Sequence, residues 1–310
     1  MLLNTRSSGS EMPPPIQIVA YACGIGGQFA GSRDGPAAFR NHIEQFADLR
    51  KRVGWHSWIE DGRAFSELGS QQVLESIITL SRQLAQASFD IITEGGFPVL
   101  IGGDHSAAAG YWSGICAALA PEGDVGLIWI DAHMDSHTPQ TSPNGYVHGM
   151  PLAALLGYGH QGLTTLLSER PKLKPAHVCL IGTRDYEPEE KTLLQSLGVR
   201  IFFMDEIHYR GLPAVFEDAL RLVRQASGGY GVTIDLDGLN PEDAPGVSTP
   251  AANGLAKAEL LTAMQGVYND PRLVGMEISE FNPANDIDNR TLALMHALLA
   301  GLQGKRDGRT

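Results

Sequence analysis

Val125-Gly-Leu-Ile-Trp-Ile-Asp131-Ala-His133-Met-Asp135 passes without a break from an apolar run into a cluster of metal-seeking side chains. The apolar part, Val125 to Asp131, reads as a strand covered on both faces, the kind found in parallel sheets. A strand sends alternate side chains to one face, so Asp131, His133 and Asp135 point the same way. A second apolar run, Gly231 to Asp235, ends in Asp235-Leu-Asp237 and repeats the pattern. Four carboxylates and an imidazole aimed at one point repel one another unless cations sit among them, which marks a metal-dependent enzyme.

Outward from this core the chain alternates short β-branched runs with longer helix-period segments. The further strands predicted are Ile16 to Ala22, Arg52 to Trp58, Phe97 to Ile101, His177 to Gly182, Arg200 to Met204 and Leu273 to Ile278. The second of these is weak, because Gly54, His56 and Ser57 break its apolar run, and it suits an edge. The clearest helices are Gln71 to Glu94, Pro188 to Leu197, Leu212 to Gln225, Lys257 to Tyr268 and Leu292 to Leu302, where apolar residues recur at three- and four-residue steps. The alternation predicts an α/β fold with a parallel sheet between helix layers, in one domain over residues 16–303. Residues 1–15, Ser/Gly- then Pro-rich, read as a disordered lead-in, and 304–310 as a frayed polar tail.

Composition narrows the function classes. With a formal charge of -12 and no long Lys/Arg cluster, the chain lacks the basic face that nucleic acid requires. No run reaches membrane-spanning length, and the start carries no signal-peptide core. Cys23, Cys116 and Cys179 are few, odd in number and far apart, which suits buried thiols in a reducing compartment. A soluble cytoplasmic protein is expected.

In parallel sheets ligands collect beyond the carboxyl ends of the strands. Read in order, those ends are Gly102-Gly-Asp104-His105-Ser106, Asp131-Ala-His133-Met-Asp135, Gly182-Thr-Arg-Asp185, Asp235-Leu-Asp237 and Glu280-Phe-Asn-Pro283. Singly, an Asp-x-Asp after a strand is commonly a turn or helix cap. Together on one edge, His105, Asp131, His133, Asp135, Asp235 and Asp237 are too many donors for one zinc and suit two ions. Oxygen-rich ligation with two imidazoles favours manganese, with nickel, cobalt and iron open as replacements, and such a pair activates water near neutral pH.

These residues resemble the ureohydrolase group, closest to the arginases. The carrying motifs are Gly102-Gly-Asp-His-Ser106, Asp131-Ala-His-Met-Asp135 and Asp235-Leu-Asp-Gly-Leu-Asn-Pro241, with Gly35-Pro36, Gly145-Tyr-Val-His148-Gly149 and Glu280-Phe-Asn-Pro283 in support. The resemblance implies a three-layer α/β/α fold around a parallel eight-stranded sheet, a binuclear manganese site, hydrolysis of a small guanidino substrate, and a homotrimeric or homohexameric assembly. It places His105 and Asp135 on one ion, His133 and Asp237 on the other, with Asp131 and Asp235 bridging. It implies catalytic work for His148 as a proton shuttle, for Glu280 as the grip on the guanidinium, and for Asp135.

For the substrate's far end the resemblance points to His137, Asn144, Asp185, Glu187, Glu190 and Thr249. His137 and Asn144 stand where arginases generally show Asn and Ser, and both can still donate to an α-carboxylate. Glu187 stands where a shorter Asp is usual, and Glu187, Glu189 and Glu190 also suit an acidic first helical turn. Asp104 reads as a residue that orients ligands, and Asn240 as a turn residue away from metal. L-arginine, giving L-ornithine and urea, is the substrate implied, with agmatine, guanidinobutyrate, formiminoglutamate and guanidine as alternatives. The zinc deacetylases, which share a related sheet, use an adjacent His-His pair that this chain lacks. A sensor without catalysis would have lost metal ligands, and none is lost.

Overall fold

The computed structural model describes residues 16–63 and 67–306. Its centre is one sheet of eight parallel strands: β1 (Ile16–Cys23), β2 (Val53–Asp61), β3 (Phe97–Ile101), β4 (Gly126–Ile130), β5 (Val178–Thr183), β6 (Arg200–Phe203), β7 (Tyr230–Asp235) and β8 (Leu273–Ser279). The spatial order is β2-β1-β3-β8-β7-β4-β5-β6. The eight runs predicted from sequence are these strands, and the weak second run is an edge strand.

Alternation along each strand divides the core in two. In β4, Ile128 and Ile130 face one layer, with helices Leu212–Val223, Lys257–Tyr268 and Arg290–Arg306. Leu127 and Trp129 face the other, with helices Ser70–Thr93 and Ala107–Leu119. The architecture is the expected three-layer α/β/α arrangement. All three cysteines are buried and unpaired. No helix among the described residues is long and apolar enough to cross a membrane.

The helix Ala107–Leu119, which the sequence reading does not single out, follows different rules. Its residues Ala107 through Cys116 are all buried, so it has no polar stripe and no amphipathic period to detect. Small residues let it lie against helix Ser70–Thr93: a Cβ at Gly110 would meet the Ser81 carbonyl at 2.5 Å. Ser88 Oγ crosses the same seam to donate to the Tyr111 carbonyl at 2.8 Å. The last helix also departs from expectation, since it continues to Arg306, past Gly304, where a frayed tail was expected to begin. The proposed lead-in lies outside the described residues.

Candidate metal centre and pocket

The five central strands, in the order β3-β8-β7-β4-β5, present their carboxyl ends side by side, which gathers the polar clusters along one edge. After β3 the chain turns sharply at Gly103, where a Cβ would run into the Cys23 carbonyl of β1. The turn buries Asp104 and His105. Asp104 serves as a tie: its Oδ2 accepts the Gly26 N–H at 2.9 Å and its Oδ1 accepts the Ser106 N–H at 3.1 Å. Burial, with the Glu280 charge adding to it, pushes its carboxyl up to about 6.

The six predicted donors converge. His105 Nδ1 lies 3.2 Å from Asp131 Oδ2, 2.9 Å from Asp135 Oδ2 and 3.2 Å from Asp235 Oδ2. His133 Nδ1 lies 3.3 Å from both Asp131 Oδ1 and Asp237 Oδ2. Asp131 thus turns one oxygen to each histidine. Two donor groups result, His105/Asp131/Asp235 and Asp131/His133/Asp237, each with its donor atoms within 4.8 Å of one another.

The donors fit a pair of divalent cations. Burial pushes the Asp235 carboxyl well up, and the charges of Asp237 and Asp131 push it further. Asp135 rises to about 6 through burial and the Asp131 charge. Asp131 goes the other way: both imidazoles outweigh its burial and hold it down. The buried His105 Nδ1 and Asp135 Oδ2 are close to each other, yet neither has a hydrogen-bond partner. Buried polar atoms left so are costly unless a ligand takes them. Asp135 also holds φ at 47°, a strained backbone position of the kind that gathers at functional sites.

Beside the donors lies a pocket lined by His133, Asp135, Asp235 and Asp237 on its inner side and by His137, Asn144, Glu187 and Glu190 further out. His148 forms part of its wall, as does Thr249, whose hydroxyl donates to Asp237 Oδ2 at 3.2 Å. Glu280 lies in an adjoining recess that shares Tyr146, His148 and Thr249 with the pocket. Its Oε1 accepts the His105 N–H at 2.8 Å and faces His148 Nδ1 at 3.3 Å. The contact with Glu280, with the Asp135 and Asp104 charges adding to it, raises the His148 imidazole to about 9 against the opposing pull of burial. Glu280 too is held at a positive φ, 67°.

Three of the outer residues have contacts of their own in the structure, and for Glu190 these are the first-helical-turn role that the sequence also suits. His137 was expected to donate to a carboxylate, but its Nε2 meets Glu187 Oε2 at 3.1 Å and its Nδ1 meets Thr141 Oγ1 at 3.1 Å, so both ring nitrogens are engaged. Glu190 forms a capping box with Glu187 at the start of helix Pro188–Leu197, its two oxygens accepting the Ser136 and Glu187 N–H groups. Burial pushes its carboxyl up to about 8. The Asp185 side chain is 73% exposed and is not among the residues lining the pocket, although its Oδ2 lies 4.0 Å from His133 Nε2. Asn240 sits in a turn, its N–H on the Leu255 carbonyl and its own carbonyl accepting from Asp243 and Ala244.

The structure adds residues that the strand-end reading passes over. Trp129 stacks on His105 with ring centroids 4.6 Å apart and donates from Nε1 to Asp131 Oδ2 at 2.9 Å. Thr233 Oγ1 faces His105 Nε2 at 3.0 Å and donates to Glu277 Oε2 at 2.9 Å. Trp129 and Thr233 each lie two residues before a donor; for Thr233 the available signal is a polar residue inside an apolar strand, whereas Trp129 gives none.

The Arginase family model matches residues 15–303 of the chain. The arginase of Bacillus caldovelox is 36% identical over 298 residues, covering 94% of this chain and 99% of that protein. Its solved structure superposes with a TM-score of 0.85 at 35% identity, over 94% of this chain and 98% of that one. The L-ornithine complex of the Entamoeba histolytica arginase superposes with a TM-score of 0.84 at 25% identity, over 95% and 100% of the two chains.

Proposed function

The chain belongs to the arginase family, and on that footing we propose that it hydrolyses the guanidinium of L-arginine to L-ornithine and urea. The observation that carries this reading is the six-donor cluster with Asp131 shared between its halves, opening on a pocket that ends near Glu280. His105, Asp135, His133 and Asp237 would hold two manganese ions, with Asp131 and Asp235 between them. When bound, the ions would supply Lewis-acid stabilisation of charge and acidify the attacking water.

The protein's own residues do the rest. Glu280 Oε1 is anchored by the His105 N–H, leaving Oε2 to accept an N–H of the guanidinium in a charge-assisted bond. His148 holds a proton at Nδ1 against Glu280. A guanidinium docked on Glu280 competes for that contact, which makes the imidazolium a stronger acid as the leaving amine forms. Water adds to the guanidinium carbon and gives up both protons as that carbon becomes the carbonyl of urea. The bond from the carbon to the ornithine nitrogen breaks, His148 delivers a proton to the departing amine, one proton from the water restores His148, and the other leaves the amine as an ammonium.

At the pocket's outer side Glu187 suits an ammonium. Among the described residues no Lys or Arg lines the pocket, so a substrate carboxylate meets neutral donors such as Asn144 and Ser142. Family membership leads us to propose a homotrimer or homohexamer as well, which light scattering tests. The activity is tested by loading the metal-free protein with manganese, nickel, cobalt or zinc and assaying urea release from arginine, agmatine and 4-guanidinobutyrate, and ammonia release from formiminoglutamate and guanidine. Arginine with manganese should turn over fastest. A preference for agmatine would overturn the substrate assignment.

A further inference from the structure

Arg184 follows β5 and is half-buried, and among the described residues its guanidinium donates only to backbone carbonyls. Nε donates to Ala252 O at 2.8 Å, and Nη1 to Gly182 O at 3.0 Å and Gly238 O at 3.1 Å. Nη2 donates to Asp237 O at 2.7 Å, Ala251 O at 2.9 Å and Leu239 O at 3.3 Å. The fit is tight, since a Cβ at Gly254 would meet Nη2 at 2.5 Å. An arginine that feels the charges of Asp237, Asp131, Asp185 and Asp235 and, among the described residues, makes no ion pair is there for the shape of its fork, which a point charge cannot reproduce.

The bonds are distributed unevenly over the two halves of the centre. The Arg184 backbone N–H donates to the carbonyl of Ala132, the residue between Asp131 and His133, at 2.8 Å. Its side chain holds the carbonyl of Asp237. The Ala132 N–H in turn approaches Asp237 Oδ1 at 3.4 Å. Arg184 thus ties together both strand ends that carry the His133/Asp237 half, with the Asp185 N–H sharing the Ala132 carbonyl at 3.0 Å, and none of the Arg184 bonds reaches His105 or Asp135.

We propose that Arg184 is a positioning residue for the His133/Asp237 half, setting the affinity of that ion and leaving the His105/Asp135 ion nearly untouched. The inference rests on the two-ion reading. Charge alone argues the opposite way: a cation beside four aspartates opposes metal binding, so its removal would tighten both ions.

The test is calorimetric titration of Mn2+ into the metal-free full chain, for the wild type, R184K and R184M, with thermal melts of each. Two binding steps are expected in the wild type; in both variants one step should weaken by about tenfold or more while the other stays within about threefold, the scale on which supporting residues act on metal affinity. R184K keeps charge and stem and so remains informative if R184M fails to fold. Two steps unchanged in R184K, or tightened in R184M, would overturn the assignment of Arg184 alone. A wild type that takes up fewer than two ions would sink the two-ion reading and this inference with it.

Discussion

Replacing Thr233 with Val keeps the shape of a fully buried β7 side chain and deletes one oxygen. In the structure that oxygen donates to the Glu277 carboxylate and therefore accepts from His105 Nε2–H, at 2.9 and 3.0 Å. Glu277 is pinned further by Trp112 Nε1 at 2.6 Å and by Ser279 Oγ at 2.9 Å, so its position does not depend on Thr233. With the proton fixed on Nε2, the lone pair of His105 sits on Nδ1, the atom that faces Asp131, Asp135 and Asp235. T233V leaves a buried N–H without a partner, costing about 1–3 kcal/mol of stability, and frees the ring to adopt the other tautomer. Loss of such a supporting partner weakens metal about 10- to 100-fold, which corresponds to roughly 1.4–2.8 kcal/mol. The assay is competition with a coloured chelator, beside urea denaturation of the metal-free protein. T233S should restore both values. T233V binding metal as tightly as the wild type, or T233S failing to restore it, would refute the tautomer argument.

Three further outcomes follow from other contacts. E280Q should lower kcat/KM for arginine about 100-fold or more, since a buried charge-assisted pair with the substrate is lost, while leaving metal content intact; stopped-time urea assays and metal analysis check this together. Gly114 faces the Ala85 carbonyl at a helix seam where an added Cβ has no room, so G114A should destabilise the protein by about 1–3 kcal/mol in urea denaturation. Burial would raise the Asp270 carboxyl, but the Arg272 N–H, Arg224 and Tyr230 outweigh it and hold it below the ordinary range. Its contribution is therefore complete above the unfolded value of about 4 and disappears as pH falls through the depressed folded value, so the stabilities of the wild type and D270N should differ most above about pH 4 and converge below it.

Much of the fold is legible because parallel strands buried on both faces give continuous apolar runs and amphipathic helices give a clear period. Ala107–Leu119 escapes that logic, since a helix buried on every side carries no stripe. Donors are legible because they cluster within three to five residues of each strand end; their partners are not, because contacts such as Thr233 to His105 span 128 residues of chain. His137 is the instructive case. Its donor capacity is evident from residue type, but its occupation by Glu187 depends on helix Pro188–Leu197 starting where it does. Arg184 is hidden for a related reason: its partners are carbonyls, which carry no residue signature.

On the proposed function, these acids and imidazoles hold two ions joined through shared carboxylates. This is tested most directly by electron paramagnetic resonance of the manganese-loaded chain, together with counting of bound metal. Two ions per chain with the spectrum of a spin-coupled pair are expected, with loss of that coupling in D135A and in D237A. A single isolated ion per chain, or coupling that survives both substitutions, would contradict the two-ion reading.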